Sequence, residues 1–149
     1  GHHAARIAAV AAAEQRRIQR EQDEREAAER RRILAEQEAV AKAARDEEAR
    51  QREAQRALNE MRMSEISGIQ MQVTIATTGR AGVRKGGTLE CYQETLAETE
   101  AWEIEEDNFG PMTGMAQKAK DAAIASISAL IVEVSIDETL EARRTERQD

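Results

Sequence analysis

Charged positions follow a helical period through the first half of the chain, whereas apolar positions are sparse there. Residues 4–65 contain neither Gly nor Pro, and opposite charges recur four residues apart, as in Arg17/Glu21 and Arg32/Glu36. Such pairs share one helix face, and each stabilises an isolated helix by about 0.2–0.5 kcal/mol. The pattern therefore predicts one long charged helix.

The apolar residues of this helix leave two interpretations open. The large apolar residues before position 58 are Ile7, Val10, Ile18, Ile33, Leu34 and Val40. Neither a seven-residue nor an eleven-residue repeat is sustained among them, although alanines could fill a close-packed seam. The segment is either a charged single helix or an irregular coiled coil.

Residues 69–77 fit two periods. Apolar and polar residues alternate from Ile69 to Ile75, as in a strand, but Ile66, Ile69, Val73 and Ala76 also follow helical spacing. Only residues 130–136 alternate in a similar way, and two strands alone form a marginal sheet. We therefore predict that the first helix spans residues 4–78, with a strand as the alternative.

Glycines then interrupt the helical pattern. Residues 79–87 hold four of them and form a Gly-rich basic loop. Thr88 is a suitable N-cap for a second helix over about 88–104, and a third helix is expected to begin near Met112. Ser135 opens a capping-box pattern, which predicts a separate polar helix or tail over 135–149.

These elements define an all-α fold in which a long charged N-terminal helix is followed by a small helical hairpin cap over residues 88–134. Composition agrees, since 34% of the 149 residues are charged and only 2% are aromatic. Because a cap this small buries little apolar surface, we expect a dimer or higher oligomer. The residues expected to be shared between chains are Ile66, Ile69, Val73, Leu89, Leu96, Ile127 and Leu130.

The single cysteine, Cys91, excludes an internal disulfide and favours a reducing compartment. No apolar run approaches the roughly 20 residues that a membrane span needs, and no signal-peptide pattern is present. We expect a cytoplasmic protein without membrane contact. Residues 1–3, Gly-His-His, are interpreted as a cloning remnant and excluded from chemistry.

The candidate catalytic and cofactor-binding motifs do not match the residue patterns that their chemistry requires. In the loop, Arg84 and Gly86 occupy positions where a Walker phosphate-binding loop requires Gly and Ser or Thr. The carboxylates near Asp107 do not alternate as calcium ligands do, and Cys91 has no histidine partner. We therefore predict no catalytic residue, no metal site and no cofactor, and hence a protein that is not an enzyme.

Charge is distributed unevenly and suggests a binding surface instead. Residues 58–149 carry 9 Arg or Lys against 17 Asp or Glu, and residues 88–117 contain no basic residue at all. Glu90, Glu94 and Glu98 form a stripe at helical spacing near Trp102. We predict that these four residues bind a protein with a basic surface.

The basic loop offers the alternative. Arg80, Arg84 and Lys85 beside a helix N-terminus could contact an anion or a nucleic acid. A turn between two helices, in which the glycines adopt positive φ angles, explains the same loop without any ligand.

Residues 79–110, GRAGVRKGGTLECYQETLAETEAWEIEEDNFG, resemble small proteins encoded in the early regions of temperate bacteriophages and prophages. In those proteins a charged Ala/Glu/Arg helix precedes a similar block, often near recombination or host-takeover genes. The resemblance covers about a third of the chain. It implies an accessory role in a bacterial host, and it carries over no catalytic residue.

Overall fold

The computed structural model describes residues 1–148, and most of them are helical. The helices are α1 (His2–Gln70), α2 (Gln72–Thr78), α3 (Leu89–Glu100), α4 (Glu106–Phe109) and α5 (Thr113–Gln148), with a 3-10 turn at Gly110–Met112. Two short strands, β1 (Gly79–Arg80) and β2 (Arg84–Lys85), form a hairpin between α2 and α3. The prediction of an all-α fold with a long charged N-terminal helix is confirmed.

The chain divides into two compact units, Gly1–Ala54 and a second unit that begins at Gln55. In the first, ion pairs one helical turn apart join exposed side chains, among them Arg32 with Glu36 at 2.7 Å and Arg50 with Glu47 at 2.6 Å. Exposed pairs of this kind contribute only tenths of a kcal/mol each. Local pairs and strong helix formers therefore account for this helical unit.

The helix prediction for residues 69–77 is confirmed, with one interruption at Met71. Helical hydrogen bonds continue across it, since the amide of Met71 donates to the carbonyl of Ser67 and that of Ile75 to Met71, both at 2.9 Å. The strand alternative is wrong for this segment. Residues 130–136 also lie within a helix, α5.

The second unit packs α2 and α3 against the first half of α5. One buried cluster consists of Ile66, Ile69, Phe109, Ala116, Ala119 and Ala123. A second consists of Ala76, Tyr92 and Ile127, with Leu96, Leu130 and Val134 against it. Small alanine side chains on α5 allow the neighbouring elements to approach closely.

Most of the apolar residues that were expected to be shared between chains are buried or half-buried within a single chain. Ile66, Ile69 and Ile127 are at most 1% exposed within a single chain. Val73, Leu96 and Leu130 also pack against the two clusters. The expectation that these side chains need a second chain is therefore wrong, because the packing of α5 against α2 and α3 buries them within one chain.

The helix ends follow from identifiable caps. Thr88 is the N-cap of α3, and its Oγ1 accepts from the amide of Cys91 at 3.2 Å, as predicted. At the other end Lys120 Nζ donates to the carbonyls of Glu100 and Trp102, both at 2.8 Å. A cation at a helix C-terminus satisfies the last carbonyls, and α3 ends at Glu100 instead of near 104.

No new helix begins at Ser135. The Ser135 carbonyl accepts from Thr139 Oγ1 at 2.9 Å within the continuous helix α5. Neither Gly nor Pro follows Gly114, so nothing in the sequence ends the helix there. The predicted boundary at residue 135 is therefore wrong. None of the helices in residues 1–148 combines the length and apolarity that a membrane crossing requires.

Candidate interaction site

The Gly-rich loop is a tight β-hairpin. Gly79 pairs with Lys85 and Arg80 with Arg84, and the amide of Val83 donates to the Arg80 carbonyl at 3.0 Å to close the turn. Gly79 has φ +77°, which L side chains rarely adopt. A Cβ on Gly86 would lie 2.2 Å from the Gly79 nitrogen. The glycines therefore serve close backbone approach and turn geometry.

The hairpin is fastened to α3 through Arg84. Its Nε lies 2.7 Å from Glu94 Oε2, and its Nη2 lies 2.6 Å from Glu98 Oε1. Its Nη1 also donates to Thr95 Oγ1 at 3.2 Å. Only 15% of the Arg84 side chain is exposed. We call Arg84, Glu94, Thr95 and Glu98 the Arg84 cluster.

Beneath this cluster, buried polar side chains join α2 to α3. Gln72 Nε2 donates to Thr99 Oγ1 at 3.2 Å, and Thr99 Oγ1 donates to the Thr95 carbonyl at 2.7 Å. The buried thiol of Cys91 donates to the Ile75 carbonyl at 3.5 Å. Because buried polar groups are costly unless they are paired, these bonds specify how α2 sits against α3.

The ion pairs change the acidity of their members. The hydrogen bond from Arg84 holds the pKa of the Glu98 carboxyl below its ordinary value, and burial opposes this effect only in part. The same hydrogen bond raises the pKa of Arg84. Both groups therefore stay charged throughout the neutral range.

This shift has a predictable pH dependence. Because the folded-state pKa of Glu98 is lowered, its contribution to stability is present above the unfolded value of about 4.3 and is lost as pH falls through the folded pKa. We expect Arg84→Met to lower the thermal unfolding midpoint at pH 7. The difference from the unmodified chain should shrink at pH 3. An equal difference at both pH values would contradict the role of the ion pairs.

The predicted basic and acidic sites are thus in direct contact with each other. Arg84 is held by Glu94 and Glu98, whereas Arg80 and Lys85 of the hairpin are exposed. The structure therefore reduces the predicted anion-binding trio to two available cations. It also places a positive charge against two of the three carboxylates in the predicted acidic stripe.

Trp102 is half-buried and has structural contacts. Its indole Nε1 donates to Glu65 Oε1 at 3.1 Å, and a Cβ on Gly68 would lie 3.4 Å from its ring. The ring packs against the cluster that contains Ile66 and Phe109. Part of the predicted partner-binding surface is therefore already used to hold α1 to the segment after α3.

In the segment after α3, side chains that pack against the core alternate with exposed carboxylates. Trp102 and Ile104 pack against the core, while Glu103 and Glu105 between and after them are exposed. Glu105 has extended backbone angles, φ −119° and ψ 145°, in which successive side chains point to opposite sides. Exposed Glu106 and Asp107 follow immediately. We call residues 103–107 the acidic segment.

The bonds that join Thr99 and Cys91 of α3 to Gln72 and Ile75 of α2 were not predicted from the sequence. Gln72 was the informative residue, because helical spacing places it beside Ile69 and Ala76, and it is 2% exposed. The extended backbone of the acidic segment was also missed, because the second helix was predicted to continue to about residue 104, although the alternation of Trp102 and Ile104 with glutamates indicates a half-buried extended stretch.

Within the described residues, no group of three or more His, Cys, Asp or Glu side chains has an arrangement that could hold a metal ion. Comparison with known proteins gave no match to a family model, a curated protein or a solved structure.

Proposed function

We propose that this chain is a non-enzymatic adaptor, an accessory factor of the kind that temperate phages encode, which binds a basic protein partner in the bacterial cytoplasm. The acidic segment is the proposed contact surface. The helical unit Gly1–Ala54 serves as a spacer arm, because the fourteen positions between Ile18 and Ile33 carry no large apolar side chain.

The observation that carries this proposal is the anchored presentation of the acidic segment. Four carboxylates, those of Glu103, Glu105, Glu106 and Asp107, are exposed within five residues. Buried or half-buried Trp102, Ile104 and Phe109 hold the backbone on both sides. A pre-organised cluster of like charge loses little conformational freedom when a complementary surface binds it.

The charge balance favours a basic protein over a nucleic acid as partner. Residues 88–117 contain no Arg or Lys, and the hairpin leaves only Arg80 and Lys85 available for phosphates. Two phosphate contacts would give a log–log salt slope of only about −2. A nucleic acid would also have to approach the carboxylates of α3.

The test uses the full chain as bait in bacterial extract and two charge-matched variants. The first variant replaces Glu103, Glu105 and Glu106 with Gln and Asp107 with Asn. The second makes the same four changes on the arm, at Glu24, Glu38, Glu48 and Asp46. Trp102 fluorescence checks that both variants keep the native fold.

We expect the acidic-segment variant to lose at least about tenfold of the captured partner, since several charge contacts of a few tenths to 1 kcal/mol are removed together. The arm variant should capture as much as the unmodified chain. Equal capture by both variants would refute the acidic segment as the contact surface. Capture of nucleic acid that depends on Arg80 and Lys85 would favour the alternative function.

A further inference from the structure

The second half of α5 carries an apolar face that the chain itself leaves uncovered. Val132, Ile136 and Leu140 are spaced four residues apart, and they are 56%, 54% and 52% exposed. At 100° per residue they lie within one stripe, which Ala125 and Ala129 extend toward the folded core. A shallow cavity of about 370 Å³ lies along this stripe, beside Thr139 and Arg143.

The charges along this half of α5 are separated into two blocks. Residues 133–141 contain Glu133, Asp137, Glu138 and Glu141 and no basic residue. Residues 143–147 contain Arg143, Arg144 and Arg147 with a single acid, Glu146. Of these charges, Glu133 and Arg144 flank the apolar stripe near its two ends, so a copy of the helix that runs in the opposite direction can pair each of them with the other.

We propose that a second copy of this chain covers the stripe, through antiparallel pairing of the C-terminal halves of two α5 helices. The two-fold axis passes near Glu138. Ile136 of one copy then faces Leu140 of the other, and Glu133 faces Arg144. Parallel pairing would instead place the two Glu133 residues at one level and the two Arg144 residues at another, so that neither could pair with the other.

The positions of Glu133 and Arg144 support this register. They are eleven residues apart, so they lie about 20° from each other around the helix and flank the same side of the stripe. In antiparallel helix pairs the same flanks meet. The apolar contacts and the ion pairs therefore require the same axis, within about half a residue.

This interface is separate from the acidic segment of the proposed function, so failure of one leaves the other standing. The two surfaces are also tested by different measurements, since self-association is read from the purified chain alone. An interface with three large apolar anchors per chain is small, and we expect a dimer that dissociates in the micromolar range.

Sedimentation equilibrium of the full chain tests the proposal first. Ile136→Glu should weaken the dimer at least about 100-fold, because the two introduced carboxylates would face an apolar contact at the interface. The matched control is Val83→Glu, which makes the same kind of change at a hairpin residue that is 80% exposed. A chain that is monomeric at all concentrations, or a dimer that Ile136→Glu leaves intact, would overturn the proposal.

Charge exchange tests the direction of pairing. Glu133→Arg and Arg144→Glu should each weaken the dimer about tenfold, because each places like charges opposite one another twice. The double variant should return to within about threefold of the unmodified chain. Failure of the double variant to recover would refute the antiparallel register.

Spin labels attached at Ala125→Cys provide an independent distance. Cys91 is 1% exposed and should react far more slowly than this surface position. Antiparallel pairing about Glu138 places the two labelled backbones roughly 39 Å apart along the helix axis, whereas parallel pairing places them about 10 Å apart. A short distance in the dimer would exclude the proposed arrangement.

Discussion

Replacing Phe109 with Ala is expected to lower the free energy of unfolding by about 3–5 kcal/mol. Phe109 is fully buried and packs with Ile66 and Ile69 in the larger cluster. The truncation removes the apolar contact and leaves a cavity where α4 meets α1 and α5. Because a small domain has only a modest total stability, this loss is a large part of it.

Denaturant unfolding followed by Trp102 fluorescence measures this loss, since Trp102 is the only tryptophan and packs against the same cluster. Val83→Ala is the control, because the side chain lies at the hairpin turn and is 80% exposed. It should change stability by less than about 0.5 kcal/mol. A Phe109→Ala variant as stable as this control would show that the cluster is not the core of the unit.

Replacing Gly86 with Ala is the second change with a large expected effect. The new Cβ would lie 2.2 Å from the Gly79 nitrogen and 2.2 Å from the Thr78 carbonyl carbon, and both are backbone atoms. The hairpin must therefore shift, at a cost of about 1–3 kcal/mol or more. The shift would pull Arg84 away from Glu94 and Glu98.

The thiol of Cys91 reports this displacement. It is 1% exposed, and it lines a cavity of about 250 Å³ together with Val83, Arg84 and Lys85 of the hairpin. We expect its reaction with a thiol reagent to be several-fold faster in Gly86→Ala. Gly114→Ala is the matched control, because a Cβ there meets nothing within 4 Å. Equal reactivity in both variants would mean that the hairpin does not cover Cys91.

The fold could be predicted where one local signal dominated. Uninterrupted helix formers predicted the first helix, and Thr88 predicted the start of α3, because both depend on neighbouring residues alone. The prediction of a helix boundary at residue 135 was wrong because a capping-box pattern competes with continuation of the helix. With neither Gly nor Pro nearby, continuation costs less than a break.

The site was harder to predict because it depends on contacts between distant positions. Arg84 and the carboxylates of Glu94 and Glu98 were identified as two opposing candidate sites, and their pairing follows only from the hairpin geometry. Likewise, helical spacing identified Ile66, Ile69 and Ile127 as apolar. It gave no sign that the packing of α5 against the other helices would bury them within one chain.

Site-specific photocrosslinking tests most directly whether the acidic segment contacts a protein partner. A photoreactive residue placed at Glu105 in the full chain should yield a covalent adduct with one basic protein in bacterial extract. The same residue placed at Lys85 or Glu38 should yield none. Adducts formed from Lys85, with none from Glu105, would contradict the proposed surface and assign binding to the hairpin instead.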